Sequence, residues 1–159
     1  MRTGFGVDAH RFKASGVVIL AGVVVDDTRG VAATSDGDVV AHALCDALLG
    51  AVALGDLGDH FPSSEPQWRG ADSLRLLGAV FDLVRGRGFT VSSVDVTVVA
   101  EAVRVSAHRA EMRSNLARCL GVDVATVSVK ATTTDGLGWL GADEGIAATA
   151  VVTVAPIDR

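Results

Sequence analysis

Three residues near the amino end of the chain have the types and spacing of metal ligands. Asp8 and His10 are separated by one residue in a segment with strand character. In an extended chain every second side chain points the same way, so these two lie on one face. His42 lies in a mostly apolar stretch, which is typical of a buried helix. One carboxylate and two imidazoles are the ligand count of a catalytic zinc site with an open fourth position. These residues therefore predict a metal centre.

His42 also has a simpler interpretation. Asp38, His42 and Asp46 are spaced four residues apart, so they share one face of the helix predicted over residues 38–54. In the simpler interpretation His42 is a core histidine that bonds Asp46. If His42 is a ligand, we expect Asp46 to orient it from behind. Gly50 continues the stripe without a side chain, which predicts that another element comes close there.

The rest of the chain predicts an α+β domain with the element order β-β-α-α-β-α-β-β. Apart from the first helix, helices are predicted from residue 72 or 73 to 86 and from 106 to 120. We expect the first two strands to pair as a hairpin. The strands are predicted at residues 2–8, 17–25, 94–98, 127–132 and 146–154. Residues 1–159 are therefore expected to form one domain, with one mixed β-sheet and about three helices packed on one side.

Two loops are long or glycine-rich enough to bind a ligand. Residues 55–71 form a polar loop, which is either a lid or binding loop or a mobile connector. Residues 136–141 read G-x-G-x-x-G, but no helix pattern follows, which argues against a dinucleotide fingerprint. The amides of such a loop can still bind phosphate.

Composition limits the class of protein. Of the 159 residues 49% are hydrophobic but only 4% aromatic, and this much small aliphatic surface predicts subunit contacts in a homo-oligomer. A net charge of −5 argues against a nucleic-acid partner. The longest apolar run, residues 17–25, is too short to span a bilayer, and no signal peptide opens the chain. We therefore expect a cytoplasmic protein without a membrane partner, in which Cys45 and Cys119 are inert buried thiols.

Taken together, the motifs resemble one enzyme family over essentially the whole chain. The chain is similar to the 2-C-methyl-D-erythritol 2,4-cyclodiphosphate synthases of the non-mevalonate isoprenoid pathway. The matching segments are residues 4–10, 35–38, 42–51, 55–58, 61–62, 70–73, 129–134 and 144–147.

The resemblance implies a reaction and an assembly. In the family, the 2-phosphate of 4-diphosphocytidyl-2-C-methyl-D-erythritol 2-phosphate attacks the β-phosphorus of the same molecule and expels CMP. The family also implies a homotrimer with active sites between subunits, Zn²⁺ in the protein, and Mg²⁺ or Mn²⁺ on the diphosphate. Because attacker and target share one molecule, the protein must orient the substrate and neutralise phosphates rather than supply a nucleophile. This fits a chain in which no Ser-His-Asp or Cys-His constellation is apparent.

The resemblance also implies a role for individual residues. Asp8, His10 and His42 would bind zinc and a phosphate oxygen, and Thr133 would polarise the diphosphate in the transition state. The methylerythritol phosphate half would meet Ser35, Asp56 and Gly58, under a closing loop that contains Phe61, Pro62, Ser63 and Glu65. The cytidine and its phosphates would be held mostly by backbone groups of Ala100, Val103, Arg104, Val105, Ala131, Thr132 and Thr133, with Trp139 as a further contact. Asp135 would face the second metal.

Several positions depart from the family pattern. Thr34 replaces a histidine that helps to stabilise the reacting phosphates, so it can donate one hydrogen bond but cannot carry charge. Val103 and Arg104 replace a Pro-Lys pair, and Asp135 replaces a glutamate. Ala142 stands where the family has arginine, which removes a phosphate contact and puts in doubt the isoprenoid-diphosphate binding near the trimer axis. Ser63 replaces an acid of the loop.

These departures keep two alternatives to the synthase open. The chain could be a catalytically impaired homologue that still binds zinc and CDP. It could also be a zinc hydrolase that acts through bound water, although no general base is apparent next to the three ligands.

Overall fold

A five-stranded mixed sheet carries the fold in the computed structural model, which describes residues 1–157. Its strand order is β4-β1-β7-β5-β6, in which β5 and β6 run parallel and the other neighbours antiparallel. A separate two-stranded sheet pairs β2 with β3. The strands are β1 (Arg2–Lys13), β2 (Val18–Leu20), β3 (Val23–Asp26), β4 (Gly30–Val31), β5 (Phe89–Val99), β6 (Val127–Thr132) and β7 (Gly145–Pro156).

The helices cover one face of the large sheet, and the predicted α+β class is confirmed. They are α1 (Val39–Ala51), α2 (Leu57–His60), α3 (Ser73–Gly86), α4 (Arg109–Leu120) and α5 (Gly138–Gly141). Single 3₁₀ turns occur at Pro66–Trp68 and Val124–Thr126. The single-domain prediction extends to residues 158 and 159, which lie outside the described residues. Within the described part of the chain, no helix combines the length and apolarity needed to cross a membrane.

Helix α1 packs directly on the backbone of β1, and two glycines make this possible. A Cβ atom placed on Gly4 would lie 1.8 Å from the carbonyl oxygen of Ala47, and one on Gly6 would lie 2.0 Å from that of Ala43. Any side chain at either position would push the helix away from the strand. The close approach predicted at Gly50 is wrong, because a Cβ there would meet nothing within 4 Å.

The start of α1 is held by a buried carboxylate. Oδ1 of Asp38 accepts hydrogen bonds from the N–H groups of Val40 and Ala41 at 3.1 and 3.0 Å, as an N-cap does. Its Oδ2 accepts from the N–H of Gly22 at 2.8 Å, which ties the β2–β3 turn to the helix. Burial raises the pKa of this carboxyl to about 6, although the backbone hydrogen bonds oppose the rise.

Three local predictions differ from the structure. Residues 17–25 form a hairpin of their own rather than one strand paired with β1, because Ala21 and Gly22 turn the chain at φ values of 48° and 74°. The polar loop at residues 55–71 contains α2 and a 3₁₀ turn. The glycine-rich loop contains the single helical turn α5, where the sequence predicted none. In each case the chain makes a short turn or a single helical turn within a segment whose overall composition predicts one strand or an irregular loop.

Replacing Asp38 by alanine is predicted to lower the free energy of unfolding by about 2–3 kcal/mol, because the cap is lost and buried N–H groups are left without an acceptor. Urea denaturation at constant subunit concentration measures this. The matched control is Asp72→Ala at the exposed N-cap of α3, for which a loss of about 0.5–1 kcal/mol is expected. Equal losses in the two variants would show that burial of the Asp38 cap adds nothing.

Candidate active site

The three predicted metal ligands converge in one cluster. Strand β1 presents Asp8 and His10 on the face that α1 covers, and α1 presents His42 to them. Oδ2 of Asp8 lies 2.9 Å from Nδ1 of His42 and 3.1 Å from Nε2 of His10. The three ligand atoms all lie within 4.8 Å of one another. Tetrahedral zinc with bonds of ordinary length holds its ligand atoms roughly 3.3 Å apart. The spacing therefore suits a small divalent cation.

Two properties of the cluster fit a metal ion. The buried Nε2 of His10 has no hydrogen-bond partner within residues 1–157, although it lies 3.1 Å from Oδ2 of Asp8. A coordinate bond would satisfy this atom. Burial opposes ionisation of Asp8, but the neighbouring His10 and His42 outweigh it and lower its pKa to about 2. The carboxylate is therefore anionic at neutral pH, as a metal ligand must be.

The hydrogen-bond partners of His42 differ from both predictions that involved Asp46. The far nitrogen of the ring, Nε2, lies 2.8 Å from Oγ of Ser73 and 3.2 Å from Oγ of Ser35. Asp46 instead accepts a hydrogen bond from the N–H of Leu57 at 2.8 Å. One turn beyond His42, its side chain reaches the start of α2 rather than the imidazole. The predicted bond or orienting contact between Asp46 and His42 is therefore wrong.

Asp8, His42 and Ser73 follow one another in the order of a Ser-His-Asp triad, which the sequence did not indicate. Ser73 is fully buried, and its hydroxyl donates to the carboxylate of Asp36. A hydroxyl that is enclosed and already hydrogen-bonded cannot reach an electrophile in the cavity. Ser73 therefore holds the imidazole of His42 in position and is not a nucleophile.

A cavity of about 230 Å³ opens beside the metal cluster. Its walls include His10 and His42 together with five residues predicted to act on or bind substrate: Thr34, Ser35, Gly58, Phe61 and Ser63. The rest of the wall was not singled out from the sequence; it consists of Ala33, Leu57, Trp68 and Leu76. The rings of Phe61 and Trp68 meet edge to face with centroids 4.9 Å apart, which makes this end of the cavity apolar.

Three predicted residues lie beside this cavity rather than in its wall. Asp56 caps α2, and its Oδ1 accepts a hydrogen bond from the N–H of Asp59 at 3.1 Å. The carbonyl of Pro62 accepts from the N–H of Glu65 at 3.0 Å, which closes a turn in the predicted lid. Asp56 and Glu65 are exposed and Pro62 is half-buried.

A second cavity, of about 210 Å³, gathers the residues predicted to hold the cytidine. The predicted residues in its walls are Ala100, Val103, Arg104, Val105, Ala131, Thr132 and Thr133. Glu101 also lines this cavity. It was not identified from the sequence, because neither its spacing nor its neighbours distinguish it from an ordinary surface carboxylate. The Glu101 carboxylate accepts hydrogen bonds from the N–H and hydroxyl of Thr134 at 2.9 and 3.1 Å. These bonds lower the pKa of Glu101 and fix the loop that follows β6.

The last two predicted substrate contacts do not line that cavity. Asp135 is exposed at a φ of 53°, and its N–H donates to Oγ1 of Thr133 at 3.3 Å. Trp139 lines a separate cavity of about 180 Å³ together with His10 and Glu144. Trp139 therefore lies near the metal cluster rather than with Thr133 in this subunit.

Both cysteines are free, as predicted for inert thiols. Burial raises the pKa of Cys45 well above its ordinary value and that of Cys119 to about 11. Neither free thiol is therefore ionised at neutral pH. Cys45 is buried as predicted, whereas Cys119 is half-buried and its thiol donates to the carbonyl of Leu74 at 3.3 Å.

Replacing His42 by alanine is predicted to abolish metal binding and any activity that depends on the metal, because it removes one of three protein ligands. Secondary structure is expected to persist, since the surrounding core of α1 is unchanged. Elemental analysis and far-UV circular dichroism measure the two effects. His108→Ala, at the half-buried start of α4, is the control and retains metal. Wild-type metal content in His42→Ala would remove His42 from the ligand set.

Comparison with known proteins agrees with this geometry. A profile described as the YgbB family matches residues 1–155. A protein of Thioalkalivibrio sulfidiphilus named 2-C-methyl-D-erythritol 2,4-cyclodiphosphate synthase is 52% identical over 154 residues, which cover 97% of this chain and 96% of that one. The protein of the same name from Acinetobacter baumannii strain ATCC 17978 is 49% identical, with the same coverage of both chains.

Solved structures show the same likeness. The bifunctional IspDF of Campylobacter jejuni matches 99% of this chain with a TM-score of 0.96 and 40% identity, although the match covers only 42% of that longer chain. The IspF–CDP complex of Plasmodium falciparum matches 99% of this chain and 97% of that chain, with a TM-score of 0.87 and 28% identity. The chain belongs to the YgbB family, and its resemblance to the 2-C-methyl-D-erythritol 2,4-cyclodiphosphate synthases is confirmed.

Proposed function

We infer that the chain converts 4-diphosphocytidyl-2-C-methyl-D-erythritol 2-phosphate into 2-C-methyl-D-erythritol 2,4-cyclodiphosphate and CMP. The observation that carries this inference is the Asp8–His10–His42 cluster beside a cavity, in a chain about half identical to curated synthases. The same identity does not favour a catalytically impaired homologue. A zinc hydrolase that acts through bound water is less well supported, because the relatives about half identical to this chain are named as synthases.

Zinc is the metal that we propose for the cluster. Two imidazole nitrogens and one carboxylate oxygen match the donor set of catalytic zinc sites. When bound, such an ion withdraws negative charge from a coordinated phosphate oxygen. We further propose that Mg²⁺ or Mn²⁺ accompanies the substrate diphosphate and faces the exposed carboxylate of Asp135.

On the metal side, the cavity walls hold the half of the substrate that attacks. The hydroxyls of Thr34 and Ser35 are placed to donate to a phosphate, and Phe61 with Trp68 excludes water from the apolar end. CDP-bound structures of relatives support a cytidine nucleotide as the other half. A substrate fixed at both ends reacts as an oriented pair, which is worth about 7–11 kcal/mol in favourable cases.

The hydroxyl of Thr133 is arranged to donate to the reacting phosphate. Its oxygen accepts a hydrogen bond from the N–H of Asp135, so its own hydrogen stays free for an anionic oxygen. Strand β6 lies at the edge of the sheet. The carbonyl of Thr132 accepts from the N–H of Ala100 at 3.1 Å, so the backbone groups of the preceding Ala131 point away from β5 and are open to the nucleotide. These groups contribute fixed dipoles at the position where charge develops.

The positions of the two cavities support an active site shared between subunits. Asp8 pairs with Ala148, Ala148 with Val98, and Val98 with Ala131, so the two half-sites are separated by three strand spacings. That separation is roughly 14 Å. Ala148 and Val98 are fully buried, so the helices fill the face between the half-sites. We therefore propose that each metal half-site is completed by the cytidine half-site of a neighbouring subunit.

The uncovered face of the sheet supports a homotrimer. On this face Phe5 is 62% exposed, Val7 51% and Val151 41%. Neighbouring apolar side chains on a sheet indicate a surface that another chain covers. Repeating one heterologous contact around a threefold axis closes a ring and forms identical active sites. The cytoplasmic location and the single domain over residues 1–159 stay predictions.

Activity is tested with purified protein, the diphosphocytidyl substrate, Zn²⁺ and Mg²⁺. We expect CMP and the cyclic product in equal amounts, because one intramolecular step releases both. The reaction is run in ¹⁸O-labelled water, and mass spectrometry should find no label in either product. CMP without cyclic diphosphate, label incorporated by hydrolysis, or an absence of turnover would contradict the proposed function.

The shared site is tested by mixing two variants that each lack one half-site. His42→Ala removes the metal half and Thr133→Ala weakens the cytidine half. Refolding them together at equal amounts should restore about a quarter of wild-type activity, since one site in four receives both intact halves. Each variant refolded alone is the control. No recovery in verified mixed trimers would show that each subunit carries a complete site.

A further inference from the structure

We propose that Ser73 and Asp36 position His42 by determining which nitrogen of its ring carries a hydrogen. Neither residue was singled out from the sequence as part of the site, and neither lines the substrate cavity. This proposal rests on the metal centre inferred above. Ser73 and Asp36 are positioning residues, since they act on the metal through His42.

The hydrogen bonds around Ser73 allow one direction for its contact with His42. Its hydroxyl donates to Oδ1 of Asp36, and its backbone N–H donates to Oδ2 of the same carboxylate at 3.0 Å. A serine hydroxyl has a single hydrogen, so Oγ can only accept at its second contact. That contact is Nε2 of His42, at 2.8 Å. Nε2 must therefore carry the hydrogen and donate it to Ser73.

The consequence appears at the other nitrogen of the ring. With its hydrogen on Nε2, a neutral His42 presents an unprotonated Nδ1 toward Oδ2 of Asp8 at 2.9 Å. Two atoms with lone pairs at this separation need either a proton or a cation between them, and the nearby Nε2 of His10 supplies the third ligand atom for a cation. In the other tautomer, Nδ1–H would donate to Asp8 and block coordination. The Asp36–Ser73 pair disfavours that tautomer.

Asp36 is itself held in place. Its Oδ1 accepts from the N–H of Asp38 at 3.2 Å, and its own N–H donates to the carbonyl of Ala71 at 3.1 Å. The carboxylate therefore bridges the start of α1 and the start of α3, and it offers only acceptor atoms to Ser73. A change in either helix start would move the acceptor on which the ring depends.

Ser35 cannot replace this constraint. Its Oγ lies 3.2 Å from Nε2 and accepts from the N–H of Gly37 at 3.2 Å. No acceptor in residues 1–157 takes its hydroxyl hydrogen, so either tautomer of His42 satisfies the contact. Because Ser35 also lines the cavity, a substrate phosphate can take its hydroxyl while Ser73 continues to hold the ring.

Zinc affinity, measured by competition with a chelator, tests the proposal. Ser73→Ala should bind zinc about 10–100-fold more weakly than wild type, as is usual when an outer hydrogen-bond partner of a ligand is lost. Ser35→Ala is the matched control, and its zinc affinity should stay close to that of wild type because either tautomer of His42 satisfies the contact with Ser35. Wild-type zinc affinity in Ser73→Ala would overturn the proposal while leaving the metal centre intact. A wild-type protein that binds no zinc would overturn both.

Asp36→Asn tests the direction of the hydrogen bonds without a change in buried volume. The amide can donate to Oγ of Ser73, which frees the serine hydrogen for Nε2 and stabilises the unwanted tautomer. Zinc affinity should again fall at least about tenfold. A merely structural role of Ser73 would not predict this loss in a variant that melts normally. Thermal unfolding of both variants separates loss of affinity from loss of fold.

Nitrogen NMR of ¹⁵N-labelled histidine supplies a direct readout. The zinc-loaded wild type should show a slowly exchanging Nε2–H and a metal-bound Nδ1 for His42. Ser73→Ala should lose the slow exchange, and metal-free Asp36→Asn should show Nδ1–H. A wild-type His42 that is protonated at Nδ1 in the zinc-loaded protein would refute the proposal regardless of the affinities.

Discussion

The close packing of α1 on β1 is the constraint on which the rest of the structure depends. Gly4 and Gly6 leave room for the helix backbone, and Asp38 fixes where the helix begins. His42 follows Asp38 by one helical turn, so the residue that fixes the start of α1 also fixes the position of His42 relative to β1. Gly4, Gly6, Asp8 and His10 are every second residue of β1, so Asp8 and His10 lie on the same face of the strand as the two glycines and point toward His42. Metal binding is therefore a consequence of backbone packing as much as of ligand chemistry.

Two half-sites at opposite ends of a sheet suit a reaction that needs no protein nucleophile. The attacking and receiving groups belong to one molecule, so the protein has to hold its ends and neutralise charge between them. A metal cluster on β1 and an open strand edge at β6 provide separate anchors, roughly 14 Å apart within one subunit. In the trimer proposed above, the metal cluster of one subunit would lie beside the open strand edge of the next, so that the substrate would bridge the interface. In this arrangement assembly and catalysis depend on each other.

The sequence predicted the parts of this site that follow from periodicity. Alternation put Asp8 and His10 on one face, and the four-residue spacing put His42 on a buried helix. Asp46 was assigned wrongly because spacing gives the face of a helix but not how far a side chain reaches. The roles of Ser73 and Asp36 were missed because the contacts of Ser73 with His42 and with Asp36 each join positions more than thirty residues apart along the chain. The β2–β3 hairpin was missed because Ala21 turns the chain without the composition of a turn.

Three of the replacements that distinguish this chain from its family lie where water or substrate can adjust to them. Thr34, Asp135 and Arg104 are all exposed beside a predicted phosphate or nucleotide position. A shorter or uncharged side chain there leaves a gap that a water molecule or a metal-bound water can fill. Nothing comparable can fill the space behind His42, where a serine at 0% exposure has its one hydrogen committed. The side of the imidazole that faces the protein therefore tolerates less chemical variation than the side that faces the substrate. This asymmetry explains how a chain without the family's histidine at position 34 can retain an intact ligand cluster.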